Sequence, residues 1–136
     1  MKKRIIIAGC FFILAALFTI WVLPPVAEPL ELPESDQLRS VTLSYEGSSV
    51  VIEDAGQREE LMEQLRSSRP TRLQSVNDTP AADELFRLDI TEAGGNTTVL
   101  FVYTNDGDSR AYVELPYQGI YKIDAEMITL LRSLAG

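Results

Sequence analysis

Histidine is absent from the 136 residues, and cysteine occurs once, at Cys10, inside an apolar run. The usual ligands of zinc and copper are therefore missing, as is the usual general base of triad hydrolases. Neither G-x-x-x-x-G-K-S/T nor G-x-G-x-x-G occurs, so no phosphate cradle for a nucleotide is expected. No metal and no cofactor is called for. Positive charge is scarce as well: 12 Lys and Arg stand against 20 Asp and Glu, a net charge of −8. Lys2, Lys3 and Arg4 precede the apolar run, and setting those three aside leaves 9 cations against 20 acids from residue 24 onward, near −11. Such a surface repels phosphate backbones and anionic lipid headgroups, which argues against a nucleic-acid partner and favours solubility or a basic partner.

What is present divides the chain. Residues 1–4 are basic, residues 5–23 are an uncharged apolar run, residues 24–37 carry four prolines and four acids, and residues 38–136 read as one domain. Nineteen apolar residues at about 1.5 Å rise give about 28 Å of helix, so the run is expected to be a transmembrane signal anchor. The cations before it and Glu28, Glu31 and Glu34 after it place the C-terminal domain outside a single-pass cell-membrane protein, with Trp21 at the interface. Ile7-Ala8-Gly9-Cys10 resembles a lipobox, but only three apolar residues precede Ala8, and cleavage after Ala27 lacks a good A-x-A site. The prolines and acids of residues 24–37 suit neither helix nor strand and predict an extended stalk, a tether reaching up to roughly 40 Å at about 3.1 Å per residue.

The domain predicts an α+β fold, mainly antiparallel sheet, in the order ββα-βββββα, with two amphipathic helices behind the N-terminal transmembrane helix. Val41, Leu43 and Tyr45 alternate with Thr42 and Ser44, and Glu46-Gly47-Ser48-Ser49 turns the chain into Val50-Val51-Ile52. Asp54 caps a helix with Leu61, Met62 and Leu65 on one face, ending near Ser68 ahead of Pro70. A short strand over Thr71–Leu73 leads into a polar loop. Strands then follow around Phe86–Ile90, Val99–Tyr103, Ala111–Leu115 and Gly119–Ile123, a meander with one solvated face, and Asp124 caps a terminal helix. The helical stretches Glu60–Ser67 and Glu126–Ser133 align, leaving a duplicated half-domain open. Two amphipathic helices and several alternating strands supply a core and the span holds no cysteine, so residues 36–136 are expected to fold alone, as a monomer, without metal or reductant.

Two segments stand out. Ser75-Val76-Asn77-Asp78-Thr79-Pro80 and Tyr112 to Tyr121 resemble S-V-N-D-x-P and Y-x-E-x-P-Y-x-G-I-Y, words of an uncharacterised family of small extracytoplasmic domains from Gram-positive bacteria. Leu115 stands where that family more often has Gln. The resemblance covers roughly residues 38–135 and implies location and fold, with no catalytic residue to carry over. Asn77, Asp78, Tyr112, Glu114, Tyr117 and Tyr121 concentrate aromatic and polar groups with no helical period to explain them, and form the candidate partner-binding set. Asp78 and Glu114 are also the carboxylates a glycoside hydrolase would need, about 5 to 9 Å apart. Asn105, Asp106 and Asp108 lack the register of a calcium loop and read first as a hairpin turn. The leading reading is a non-catalytic, membrane-anchored extracytoplasmic module that binds a protein, peptide or envelope component. A carboxylate hydrolase, and an accessory subunit pairing through its transmembrane helix, are the alternatives.

Overall fold

Alternating strands separated by turn residues pair here with their neighbours in space, and two helices cover one face of the result. The computed structural model describes residues 2–23, 25–105 and 109–136, and within the N-terminal helix the side chains of residues 6, 7 and 9–18. The elements are α1 (Lys2–Val22), β1 (Leu38–Tyr45), β2 (Ser48–Val51), α2 (Ala55–Arg66), β3 (Arg69–Pro70), β4 (Glu84–Glu92), β5 (Thr97–Thr104), β6 (Ala111–Leu115), β7 (Gly119–Ile123) and α3 (Glu126–Ala135). The seven strands form one antiparallel sheet in the order β2-β1-β4-β5-β6-β7-β3. The turn expected over Asn105–Asp108 falls largely outside the described residues. β3 lies two residues ahead of the expected strand, because Pro70 is tolerated at a sheet edge where its missing N–H goes unneeded.

Val41, Leu43, Phe86, Leu88, Ile90, Leu100 and Val102 project onto Leu61, Met62 and Leu65 of α2 and Met127, Ile128 and Leu131 of α3, all buried. Burying each such side chain is worth about 1.5–3 kcal/mol, which is what holds the helices to the sheet. Asp54 caps α2 as expected, accepting the Gln57 N–H at 2.8 Å from an extended backbone. Asp124 does not cap α3 with its side chain. Ala125 occupies the cap position in a helical conformation, and Asp124 contributes only its carbonyl, 3.0 Å from the Met127 N–H. Arg132 on α3 reaches Glu84 on β4 at 2.7 Å, and its guanidinium holds that carboxyl below the usual range.

Among the described residues no helix is long and apolar enough to cross a membrane. The expected transmembrane signal anchor over residues 5–23 and the single-pass cell-membrane localisation therefore lose their support.

Residues 25–37 lie along the domain as a strap. The Ala27 N–H bonds to the Thr71 carbonyl at 3.0 Å, the Glu28 carbonyl accepts the Tyr121 hydroxyl at 2.6 Å, and the Pro33 carbonyl accepts Arg66 at 3.0 Å. Ser35 also donates to Glu59 on α2. Ala27, Leu30 and Leu32 pack against the core and Pro33 is buried. The apolar residues set between the prolines and acids, rather than the prolines, decide where the segment goes.

Gly119 is what lets the strap pass. A Cβ built there would stand 2.7 Å from the Ala27 Cβ and 3.1 Å from the Tyr121 hydroxyl, closer than carbon atoms approach. Gly119→Ala should therefore push the strap off β7 at a cost of about 1–3 kcal/mol, read as a drop in the thermal midpoint. Adding Ala27→Gly should recover part of that loss. A single variant as stable as the parent would show that the strap contributes nothing to stability.

Candidate functional site

The two sequence words meet in space. β3 and β4 are separated in the sheet by β7, β6 and β5, so the chain between them must cross those strands. Residues 71–83 make that crossing on the face away from the helices, and this face is therefore not simply solvated. In register, Phe101 stands opposite Glu114 and Glu114 opposite Ile120, and all three are buried there together with Tyr103. Pro80, within the crossing, is itself buried.

Glu114, 4 % exposed, fixes the loop. Its Oε1 accepts the Ser75 hydroxyl at 2.6 Å and its Oε2 accepts the Tyr103 hydroxyl at 3.1 Å. Ser75 in turn accepts the Tyr117 N–H at 2.9 Å. A buried carboxylate without partners is strongly destabilising, so these charge-assisted bonds hold it in place. Burial and the neighbouring Glu114 charge push the Tyr103 phenol well above its usual range. With both oxygens engaged and water excluded, Glu114 is a latch. The carboxylate-hydrolase reading loses one of its two acids to this structural role.

The other predicted residues separate by face. Tyr117, just past β6, is 62 % exposed and holds a left-handed φ of 62° that costs a side-chain-bearing residue energy. Interaction with the nearby Asp78 carboxylate raises the pKa of its phenol. Asn77 and Asp78 are exposed on the loop. Tyr112 is half-buried, its ring 5.7 Å from that of Tyr103. Tyr121 does not join them: it pairs with Val113 on the helix-covered face, 2 % exposed, with its hydroxyl on the Glu28 carbonyl. Glu114 and Tyr117 are thus linked through Ser75, Asp78 lies near the Tyr117 hydroxyl, Tyr112 flanks them, and Tyr121 belongs to the scaffold.

Sequence reading missed Ser75 and Tyr103 as the latch partners. Ser75 opens the first word, and that position was the available signal. It also missed a groove of about 440 Å³ between the strap and the loop, lined by Val26, Glu28, Leu73, Val76, Tyr117 and Gln118 among others. A second cavity, of about 610 Å³, lies under the strap on the helix side and is lined by Glu28, Glu31, Glu92, Leu32, Leu115 and Tyr121 among others. Among the described residues no group of three His, Cys, Asp or Glu is placed to hold a metal ion.

These features define an α+β domain in which a crossing loop, latched to a buried glutamate, presents an exposed tyrosine beside a strap-lined groove. Residues 26–122 match the family DUF5301, described as a domain of unknown function (DUF5300), and the chain belongs to it. The match starts in the strap and ends in β7, so the strap lies within the family's domain. The chain is similar to a Ruminococcus gnavus protein solved by NMR, at 26 % identity and a TM-score of 0.56, over 69 % of this chain and 90 % of that one. No curated protein matches. A Gram-positive origin and an extracytoplasmic setting are not among the properties these matches carry.

Tyr103 makes the latch testable by pH. Its folded pKa lies above the unfolded value of 10.0, so its contribution is fully present below pH 10 and is lost as pH rises toward the folded value. Tyr103→Phe should cost about 1–3 kcal/mol at neutral pH by leaving a Glu114 oxygen unpaired. Denaturant titrations of the variant should also lose stability less steeply above pH 10. Equal slopes for the two proteins would remove Tyr103 from the latch.

Proposed function

We propose that this chain is a non-catalytic binding module that takes up a protein or peptide segment at the groove beside Tyr117. One observation carries the reading. An aromatic side chain is kept 62 % exposed in a strained left-handed backbone. Local strain of about 1–3 kcal/mol persists where the surrounding structure over-determines it, and such positions cluster at binding sites. Here the determination is visible: the Tyr117 N–H is fixed by Ser75, and Ser75 by buried Glu114.

The neighbourhood supports it. Val26, Leu73 and Val76 line the same groove at 48 %, 53 % and 64 % exposure, so the tyrosine is one member of an apolar rim. Contiguous exposed apolar surface bordered by polar groups is the ordinary mark of an interaction site. Asp78, near the Tyr117 hydroxyl, and exposed Asn77 give the rim its polar border. Of the residues predicted from sequence, Asn77, Asp78 and Tyr117 form the contact surface, Tyr112 flanks it, and Glu114 positions it.

A random peptide library displayed on phage, panned against the full chain, tests the reading. Peptides enriched on the parent should lose at least about tenfold in affinity on Tyr117→Ala, the scale of an aromatic hot spot. The thermal midpoint should stay nearly unchanged, because the backbone bond to Ser75 survives the substitution. Enrichment that is indifferent to Tyr117→Ala would move the site elsewhere, and a panning that enriches nothing would end the proposal.

A further inference from the structure

The groove selects by charge as well as by shape. Its apolar members come from both walls, Val26 on the strap side and Leu73, Val76 and Tyr117 on the loop side. Gln74, Ser75 and Gln118 place neutral hydrogen-bonding groups between them. Among the described residues Glu28 is the one charged residue that lines it, and the Asp78 carboxylate near Tyr117 brings a second negative charge to the rim. Among the described residues no lysine or arginine lines the groove. Around it lies a domain with 9 cations against 20 acids from residue 24 onward.

Resting on the binding reading above, we infer that the occupant is a short extended peptide segment in which one large apolar side chain is flanked by lysine or arginine. A groove of about 440 Å³ is small-ligand sized, at the low end of the roughly 300–1,000 Å³ typical of such sites. It has room for a few residues of extended chain and not for a folded surface. The apolar side chain enters between Val26, Leu73, Val76 and Tyr117, where it removes four exposed groups from water. The flanking cations face Glu28 and Asp78, and the two glutamine amides satisfy peptide backbone groups that a dry site would leave unpaired. The acidic field of the domain speeds the approach of a cationic segment and repels an acidic one. It equally disfavours a nucleic-acid strand.

Fluorescence polarisation on the full chain separates the requirements. The probes are three labelled pentapeptides with central sequences Lys-Phe-Lys, Glu-Phe-Glu and Lys-Ser-Lys. The Lys-Phe-Lys probe should bind at least about tenfold tighter than either other, since a buried aromatic anchor and a charge reversal are each worth that much. Glu28→Gln, which keeps the carbonyl that holds Tyr121, should weaken it about two- to fivefold, the scale of an exposed ion pair. Raising the salt should abolish that difference. If Glu-Phe-Glu binds as tightly and still depends on Tyr117, the charge inference is overturned while the binding module stands. If Lys-Ser-Lys binds as tightly as Lys-Phe-Lys and Tyr117→Ala changes nothing, the attraction is nonspecific and the inference fails. If no probe binds although library peptides do, the occupant has another chemistry; if neither binds, both readings fall.

Discussion

A carboxylate taken out of water organises the loop-bearing side of this protein. Glu114 sits on β6, on the face away from the helices, where alternation alone would leave it in solvent. It is buried because residues 71–83 must cross that face to bring the chain from β3 at one edge to β4 in the interior of the sheet. The crossing exists for topological reasons, but its path is set by the bonds Glu114 accepts from Ser75 and Tyr103. Removing either hydroxyl would leave part of a buried charge unpaired, at a cost of about 1–3 kcal/mol, and that cost ties the loop to Glu114. Tyr117 inherits that rigidity through its backbone bond to Ser75.

The opposite face solves a different problem. There the apolar residues of the sheet are covered by α2 and α3, but the end nearest β7 and β3 lies beyond the helices' main contacts. The strap closes it with Ala27, Leu30 and Leu32, and the absence of a Cβ at Gly119 makes the close approach feasible. One segment therefore serves two purposes. Its inner side completes the core, through Tyr121 and Glu28, and its first residues form one wall of the groove whose other wall is the loop.

Period-2 alternation made the strands legible, because apolar residues two apart can only share a face if the backbone is extended. The β1 and β6 boundaries and the Asp54 cap come out of that reading and of the capping chemistry. It was less informative about β5. Leu100 and Val102 face the helices, while Phe101 and Tyr103 are buried on the other side, and a strand apolar on both faces carries no signal for which side is the core. Tyr121 was grouped with Tyr112 and Tyr117 by nearness in sequence, although its odd spacing from Tyr112 along the β6–β7 hairpin puts it on the other face. The strap was hidden by its prolines and acids, which describe an unstructured tether well and say nothing about the leucines between them. Length and apolarity in one dimension predict a membrane span, and among the described residues no helix is long and apolar enough to make one.

Half of the candidate site was visible in the sequence because two loops carried unusual words, and half was not because the site is made by convergence. Ser75 and Glu114 are 39 residues apart, and Val26 and Tyr117 are 91 apart, with no local pattern to join them. What joins them is the order of the strands. Placing β3 at the far edge sends the loop over one face and leaves Thr71 beside it to receive the Ala27 N–H, so the same topological choice brings the loop and the strap to a common border. A binding groove at that border needs no dedicated element. It follows from two connections forced past each other at one corner of the sheet, with a buried glutamate fixing the first and a glycine admitting the second.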